Sequence, residues 1–254
     1  MPPQLQLFKP AICLLVLPLF FSSFKPSHRE KNHHVFNPGF AVVELFTSEG
    51  CSSCPPAEEA VGRLTGWKKN LYFLCFHVDY WNYLGWKDLY SNPAYTIRQK
   101  EYGAIFHLNS IYTPQAIVNG KVEFTGSNES RLRETIEESI SELPKSEIQI
   151  TVQRGNKNQI QVIVNAESNQ DLTLNLALVQ QQVTNAVQRG ENKGKSLTHF
   201  NTVRDFMVLP DDGGSKTYDL NIPNGLSTSD CSVIAYLQNS KNGHIVAATS
   251  SAIP

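Results

Sequence analysis

Two cysteines, Cys51 and Cys54, stand three positions apart in the stretch "ELFTSEGCSSCPPAEEA", residues 44–60. Disulfide exchange needs a thiolate, so a redox cysteine needs surroundings that favour negative charge. The junction of a strand with a helix offers them. The first helical amides lack partners, and the helix dipole places roughly half a positive charge there. On this spacing Cys51 is expected at the exposed start, as the attacking thiol. Cys54, about a turn in, is the resolving one. Ser52 and Ser53 bring no cation, and Glu49 opposes ionisation if it points inward, so only a moderate shift of the Cys51 thiol is expected.

Other chemistries compete for the pair. A structural zinc site commonly draws four ligands from two Cys/His pairs, but Cys75 and Cys231 are isolated, so no zinc site is expected. Copper(I) suits soft thiolates and could take Cys51, Cys54 and either His77 or His199. A purely structural disulfide would close so short a ring that it constrains little of the unfolded chain. Cys75 falls mid-strand in an apolar run and reads as a small buried hydrophobe. Cys231 has no visible partner, and a Cys75–Cys231 bridge is the remaining pairing.

The elements that must position the pair follow from periodicity. Residues 41–46 (AVVELF) and 71–78 (LYFLCFHV) are apolar runs suited to buried strands. Pro55-Pro56 fits a helix's first turn, and Ala60, Leu64 and Trp67 continue at near-helical spacing. The three form a β-α-β unit with a right-handed parallel crossover. A helix is expected from Asn92-Pro93 to His107, then a hairpin turning at Asn119-Gly120, then a helix over 129–143 on Leu132, Ile136 and Ile140. Beyond Pro144, 147–152 and 159–164 alternate polar and apolar residues, and further short runs cover 171–179, 216–222, 232–237 and 244–248. The expected fold class is α/β plus all-β, with an α/β domain over 38–144 and a β-sandwich-like domain over 147–254.

The chain has 254 residues, 41% hydrophobic and 18% charged, enough for a sizeable core. Lys+Arg 22 against Asp+Glu 23 leaves net −1, so nothing basic points to nucleic acid. Lys9, the apolar run 12–21 and Ser22-Ser23 read as an export signal within residues 1–24. The run is too short to span a bilayer, and Pro18 interrupts it. A periplasmic or extracellular location is expected, with membrane contact only through this segment if it stays uncleaved.

The stretches "VVELFTSEGCSSCPPAE", "FHVDYWNYLGWKD", "YTPQAIVNG" and "RGENKGKSLTHFNTVR" resemble an exported family long labelled a domain of unknown function, whose members carry a thioredoxin-like fold at the front. The resemblance runs from about residue 41 to the C-terminus. It implies a thioredoxin-like domain over 38–144 and a cis Thr113-Pro114 bond packed against the cysteines. Pro114 would shape a ledge on which the Thr113 backbone receives an extended substrate. Thioredoxins keep a buried acid six residues before the first cysteine, where this chain has Leu45, with Glu44 adjacent.

Tyr80, Trp81, Tyr83 and Trp86 form either a substrate wall or a loop packed by its own side chains. Residues 186–206 (AVQRGENKGKSLTHFNTVRDF) are unlike a sandwich strand. They form either a solvated hairpin tip or an element folded over the dithiol that brings His199 near Cys51. The expected activity is thiol–disulfide exchange on a protein or small thiol/disulfide substrate, with no dissociable cofactor. Cys51, Cys54 and Pro114 would carry it, and Thr113, Tyr80, Trp81, Trp86 and His199 would contact substrate. The alternative is a non-catalytic binding module, such as a Cu(I) carrier or partner-docking protein.

Overall fold

Alternation along the first strand decides what lies on each side of the sheet. The computed structural model describes residues 39–156, 158–167 and 171–254, with Met1, Pro3 and Gln4. The expected export signal over 1–24 falls, but for those three, outside the described residues. β1 (Ala41–Thr47) sends Val43, Leu45 and Thr47 to one face and Val42, Glu44 and Phe46 to the other. It pairs in parallel with β2 (Leu71–His77) across α1 (Pro55–Leu64), giving the expected β-α-β unit.

α2 (Pro93–Ile105) begins where Asn92 caps it, the Asn92 side chain accepting from the Ala94 amide at 3.0 Å. β3 (Gln115–Val118) and β4 (Val122–Thr125) form the expected hairpin, with Asn119 and Gly120 both at positive φ (48° and 62°). α3 (Glu129–Ser141) follows, capped by Asn128.

The C-terminal half consists of β5 (Ile148–Arg154), β6 (Gln159–Ala166), β7 (Leu172–Ala186), β8 (Ser196–Pro210), β9 (Gly214–Asn221), β10 (Cys231–Asn239) and β11 (Ile245–Ala252). Its strands do not stand apart. β8 pairs in parallel with β2 at Thr202 and Cys75, joining both halves in one eight-stranded sheet, β11-β10-β7-β8-β2-β1-β3-β4. β5-β6-β9 forms a second, three-stranded sheet. Ile160, Val162, Val164 and Leu220 of the small sheet pack on Leu174, Leu176, Val233 and Leu237 of the large one. The small sheet thus packs on the C-terminal end of a large mixed sheet that also holds the N-terminal strands. The described residues from Gly39 to Pro254 belong to one compact unit, and residues 144–147 connect α3 to β5 within it.

The reading of 186–206 as unlike a strand is corrected: β8 occupies most of it. Its inward side chains include His199 and Thr202, so polarity hid a buried strand. Glu44, adjacent to the thioredoxin acid position, is settled by its face of the sheet. It lies on the α2 face, with Oε2 2.6 Å from Arg98 Nε and Oε1 accepting from the Tyr102 hydroxyl at 2.9 Å, so it is no relay for the cysteines.

Candidate active site

Cys51 and Cys54 lie where β1 gives way to α1. The Cys51 amide donates to the Ser48 carbonyl at 3.1 Å, and the Cys54 amide to the Cys51 carbonyl at 3.2 Å. The Cys54 carbonyl then accepts from Ala57 and Glu58, starting the helix. Among the described residues Cys51, Cys54, Cys75 and Cys231 are all free. Cys75 packs in the core beneath α1, and Cys231 in the core between the two sheets, so the structure forms no bridge between them.

The two thiols of the motif differ sharply. The Cys51 thiol is pushed down to about 6. The largest cause is the Cys54 thiol donating to it; burial works against this, and the Ser53 hydroxyl and amide and the Thr113 side chain assist. Ser53 Oγ stands 3.2 Å from Cys51 Sγ. Burial, then the neighbouring Cys51, push the Cys54 thiol well up. The shift at Cys51 exceeds the moderate one expected, and its source differs. Pro55 and Pro56 have no N–H, so they delete two of the donors that a helix start would supply. Side chains and the loop amide do that work instead. Cys51 is also not exposed as expected: its residue is 1% accessible, while Ser52 and Ser53 face solvent.

The Thr113–Pro114 peptide is cis, the isomer the resemblance implies. The Thr113 carbonyl stands 3.8 Å from Cys51 Sγ, within reach of its thiol proton. Gly126 allows this ledge to close, its amide donating to the Pro114 carbonyl at 2.9 Å where a Cβ would lie 2.6 Å from Leu45.

The aromatic segment is tied to the site by its polar edges. Trp81 Nε1 donates to Thr113 Oγ1 at 2.8 Å, while Trp81 Cβ lies where only Gly50 leaves room. Trp86 Nε1 donates to Glu49 Oε2 at 2.7 Å. The Tyr80 hydroxyl is buried close to Thr113 and Gln99 without a well-formed hydrogen bond among the described residues, and Tyr83 is exposed. These indoles brace the dithiol loop.

The tip between β7 and β8 folds over that loop. Asn192 donates its amide to the carbonyls of Glu49 and Cys51, both at 2.9 Å, and Glu191 accepts from the Ser52 amide at 2.9 Å. Gly190 and Gly194, at φ 79° and 81°, allow the tight turn. His199 lies between carboxylates, not against Cys51 sulfur. Its Nδ1 is 2.5 Å from Glu58 Oε2 and its Nε2 is 3.2 Å from Glu49 Oε1. Burial opposes its charge, but Glu58 and Glu49 outweigh burial and push His199 up to about 10. Thr47 donates to the other Glu58 oxygen at 2.7 Å, and Asn185 donates to Glu49 at 2.8 Å.

Sequence reasoning missed Glu58, Asp88, Asn185, Glu191 and Asn192. Glu58 alone left a trace, as an acid among the buried positions Ala57, Ala60, Val61 and Leu64 of α1.

The crystal structure of protein AGR_C_4864 from Agrobacterium tumefaciens is similar, with TM-score 0.62 and 28% identity over 84% of this chain and 94% of that one. A domain of the outer membrane lipoprotein Omp28 from Porphyromonas gingivalis aligns over 44% of this chain and 90% of its own, with TM-score 0.26 and 13% identity. No curated protein matches. Over residues 42–238 the chain matches, and so belongs to, the family described as "Protein of unknown function (DUF1223)".

Proposed function

We propose that the protein is a thiol–disulfide oxidoreductase with a thioredoxin-like N-terminal arrangement, acting outside the cytoplasm. One observation carries this reading: adjacent thiols with opposite acidities, Cys51 lowered to about 6 and Cys54 raised, beside the Thr113–Pro114 ledge. Cys51 thiolate attacks a substrate disulfide, breaking its S–S bond and forming a mixed disulfide, and the leaving sulfur takes up a proton. Cys54 then loses its proton and attacks Cys51 Sγ. An internal disulfide forms and the substrate's second sulfur leaves. Substrate is reduced by two electrons and the Cys51–Cys54 pair oxidised; the reverse sequence oxidises a dithiol. The exported location rests on the reading of residues 1–24.

The test is insulin reduction and refolding of reduced RNase, with wild type and Cys51→Ser side by side. Wild type is expected to turn over and the variant to lose that activity. Equal behaviour of the two would return the pair to the non-catalytic alternative, a Cu(I) carrier or docking module, which stoichiometric Cu(I) uptake would then favour.

A further inference from the structure

A second constellation lies under α1, apart from the sulfurs. One oxygen of Glu58 and one nitrogen each of His77 and His199 lie within 4.8 Å of one another, and all three residues are buried. They come from three elements, α1, β2 and β8, so no sequence spacing groups them.

The other nitrogen of each ring is held by a carboxylate. His77 Nδ1 is 2.7 Å from Asp88 Oδ2, and His199 Nε2 is 3.2 Å from Glu49 Oε1. Asp88 is itself fixed by the backbone amides of Glu49 and Tyr90, at 2.8 and 2.9 Å. Metal-binding histidines characteristically hand their second N–H to such a carboxylate, which sets the tautomer and aims the free lone pair. That leaves His77 Nε2 without a partner and His199 Nδ1 facing only Glu58, itself one of the three.

His77 Nε2 supplies the independent observation. It is buried in a residue of 0% exposure and has no hydrogen-bond partner among the described residues. A buried polar atom left without a partner costs its desolvation with nothing in return. Three buried carboxylates, Glu49, Glu58 and Asp88, also converge on these two rings, which suits a cation.

We propose that Glu58, His77 and His199 bind a divalent first-row transition-metal ion of the zinc class, which ties α1 to β2 and β8. Two imidazoles and a carboxylate suit zinc, cobalt or iron(II), whereas Cu(I) prefers sulfur. The ion takes the place of the proton shared by Glu58 and His199. Two ligands of a tetrahedral ion stand roughly 3.3 Å apart, so this 2.5 Å pair opens by under an ångström. Thr47 keeps the second Glu58 oxygen, and Glu49 keeps the His199 Nε2 proton.

The probe is Co²⁺ added to chelator-stripped full-length protein. About one ion per chain is expected, with d–d absorption, no sulfur-to-cobalt charge-transfer band, and displacement by Zn²⁺. Asp88→Asn should weaken binding roughly 10–100-fold. His77→Gln should abolish it, and the Cys51→Ser/Cys54→Ser double variant should retain it. Absence of uptake by wild type, a sulfur charge-transfer band, or loss of uptake in the cysteine double variant would overturn the site. Circular dichroism checks folding of each variant, and if His77→Gln does not fold, wild-type stoichiometry and the cysteine variant decide.

Discussion

The side-chain amide of Asn192 donates to the carbonyl of Cys51 at 2.9 Å, across 141 residues of chain. The same amide reaches the Glu49 carbonyl, and Lys195 donates to its oxygen at 2.9 Å, so this buried side chain is fully used. Asn192→Ala takes a donor from two carbonyls, of which Cys51's keeps the Cys54 amide, and should lower stability by roughly 1–3 kcal/mol in urea denaturation. The tip should loosen with it, and Cys51 should react faster with iodoacetamide at fixed pH. An unchanged rate would show that the tip does not shield the sulfur.

Iodoacetamide rates against pH read the ionisation of Cys51 directly. The midpoint is expected near 6, since the donors to Cys51 Sγ favour its thiolate, and Cys54 should remain unreactive across that range. Ser53→Ala removes one donor and should move the midpoint upward. A wild-type midpoint near the free-thiol value would remove the basis for Cys51 as the nucleophile.

His199 makes stability fall with alkalinity in metal-free protein. Its folded value, about 10, lies above its ordinary 6.5. Its contribution is therefore complete below about 6.5, declines above that, and is gone above about 10. The groups facing it are Glu58, Glu49, His77 and Tyr90; Glu58 is held below its usual range and burial raises Tyr90. His199→Gln should cost roughly 3–5 kcal/mol at neutral pH by leaving buried carboxylates uncompensated. The gap between variant and wild type should close between pH 6.5 and 10; a constant gap would contradict the charge assignment.

The opposite face has its own charge pair. Arg98 forks onto both oxygens of Glu44, at 2.6 and 2.7 Å, and also donates to Tyr236. Arg98→Met strands the Glu44 carboxylate and should destabilise by roughly 3–5 kcal/mol. Because Glu44 points away from the cysteines, the pH midpoint of alkylation should not move. A moved midpoint would link Glu44 to the ionisation of Cys51.

Local periodicity made the first seven elements legible. Apolar runs marked β1 and β2, Pro55-Pro56 and Asn92-Pro93 marked helix starts, and Asn119-Gly120 marked the hairpin. Cys51, Cys54 and Thr113-Pro114 were visible because their meaning is local. Asn192 and His199 carry no local sign of their partners. They gain them only because β8 inserts beside β2, and that pairing depends on packing at long range. β8 was illegible for the same reason, since its inward His199 answers carboxylates elsewhere in the chain.

The parallel seam between β8 and β2 also sets a timetable. A chain made from its N-terminus presents Cys51 and Cys54 long before Asn192, Glu191 and His199 exist. During that interval the sulfurs have no roof, and any oxidant or reductant can meet them. Closure of the seam then brings Asn192 and Glu191 onto the loop that holds them. The β7–β8 hairpin is thus a roof made after the sulfurs that it covers.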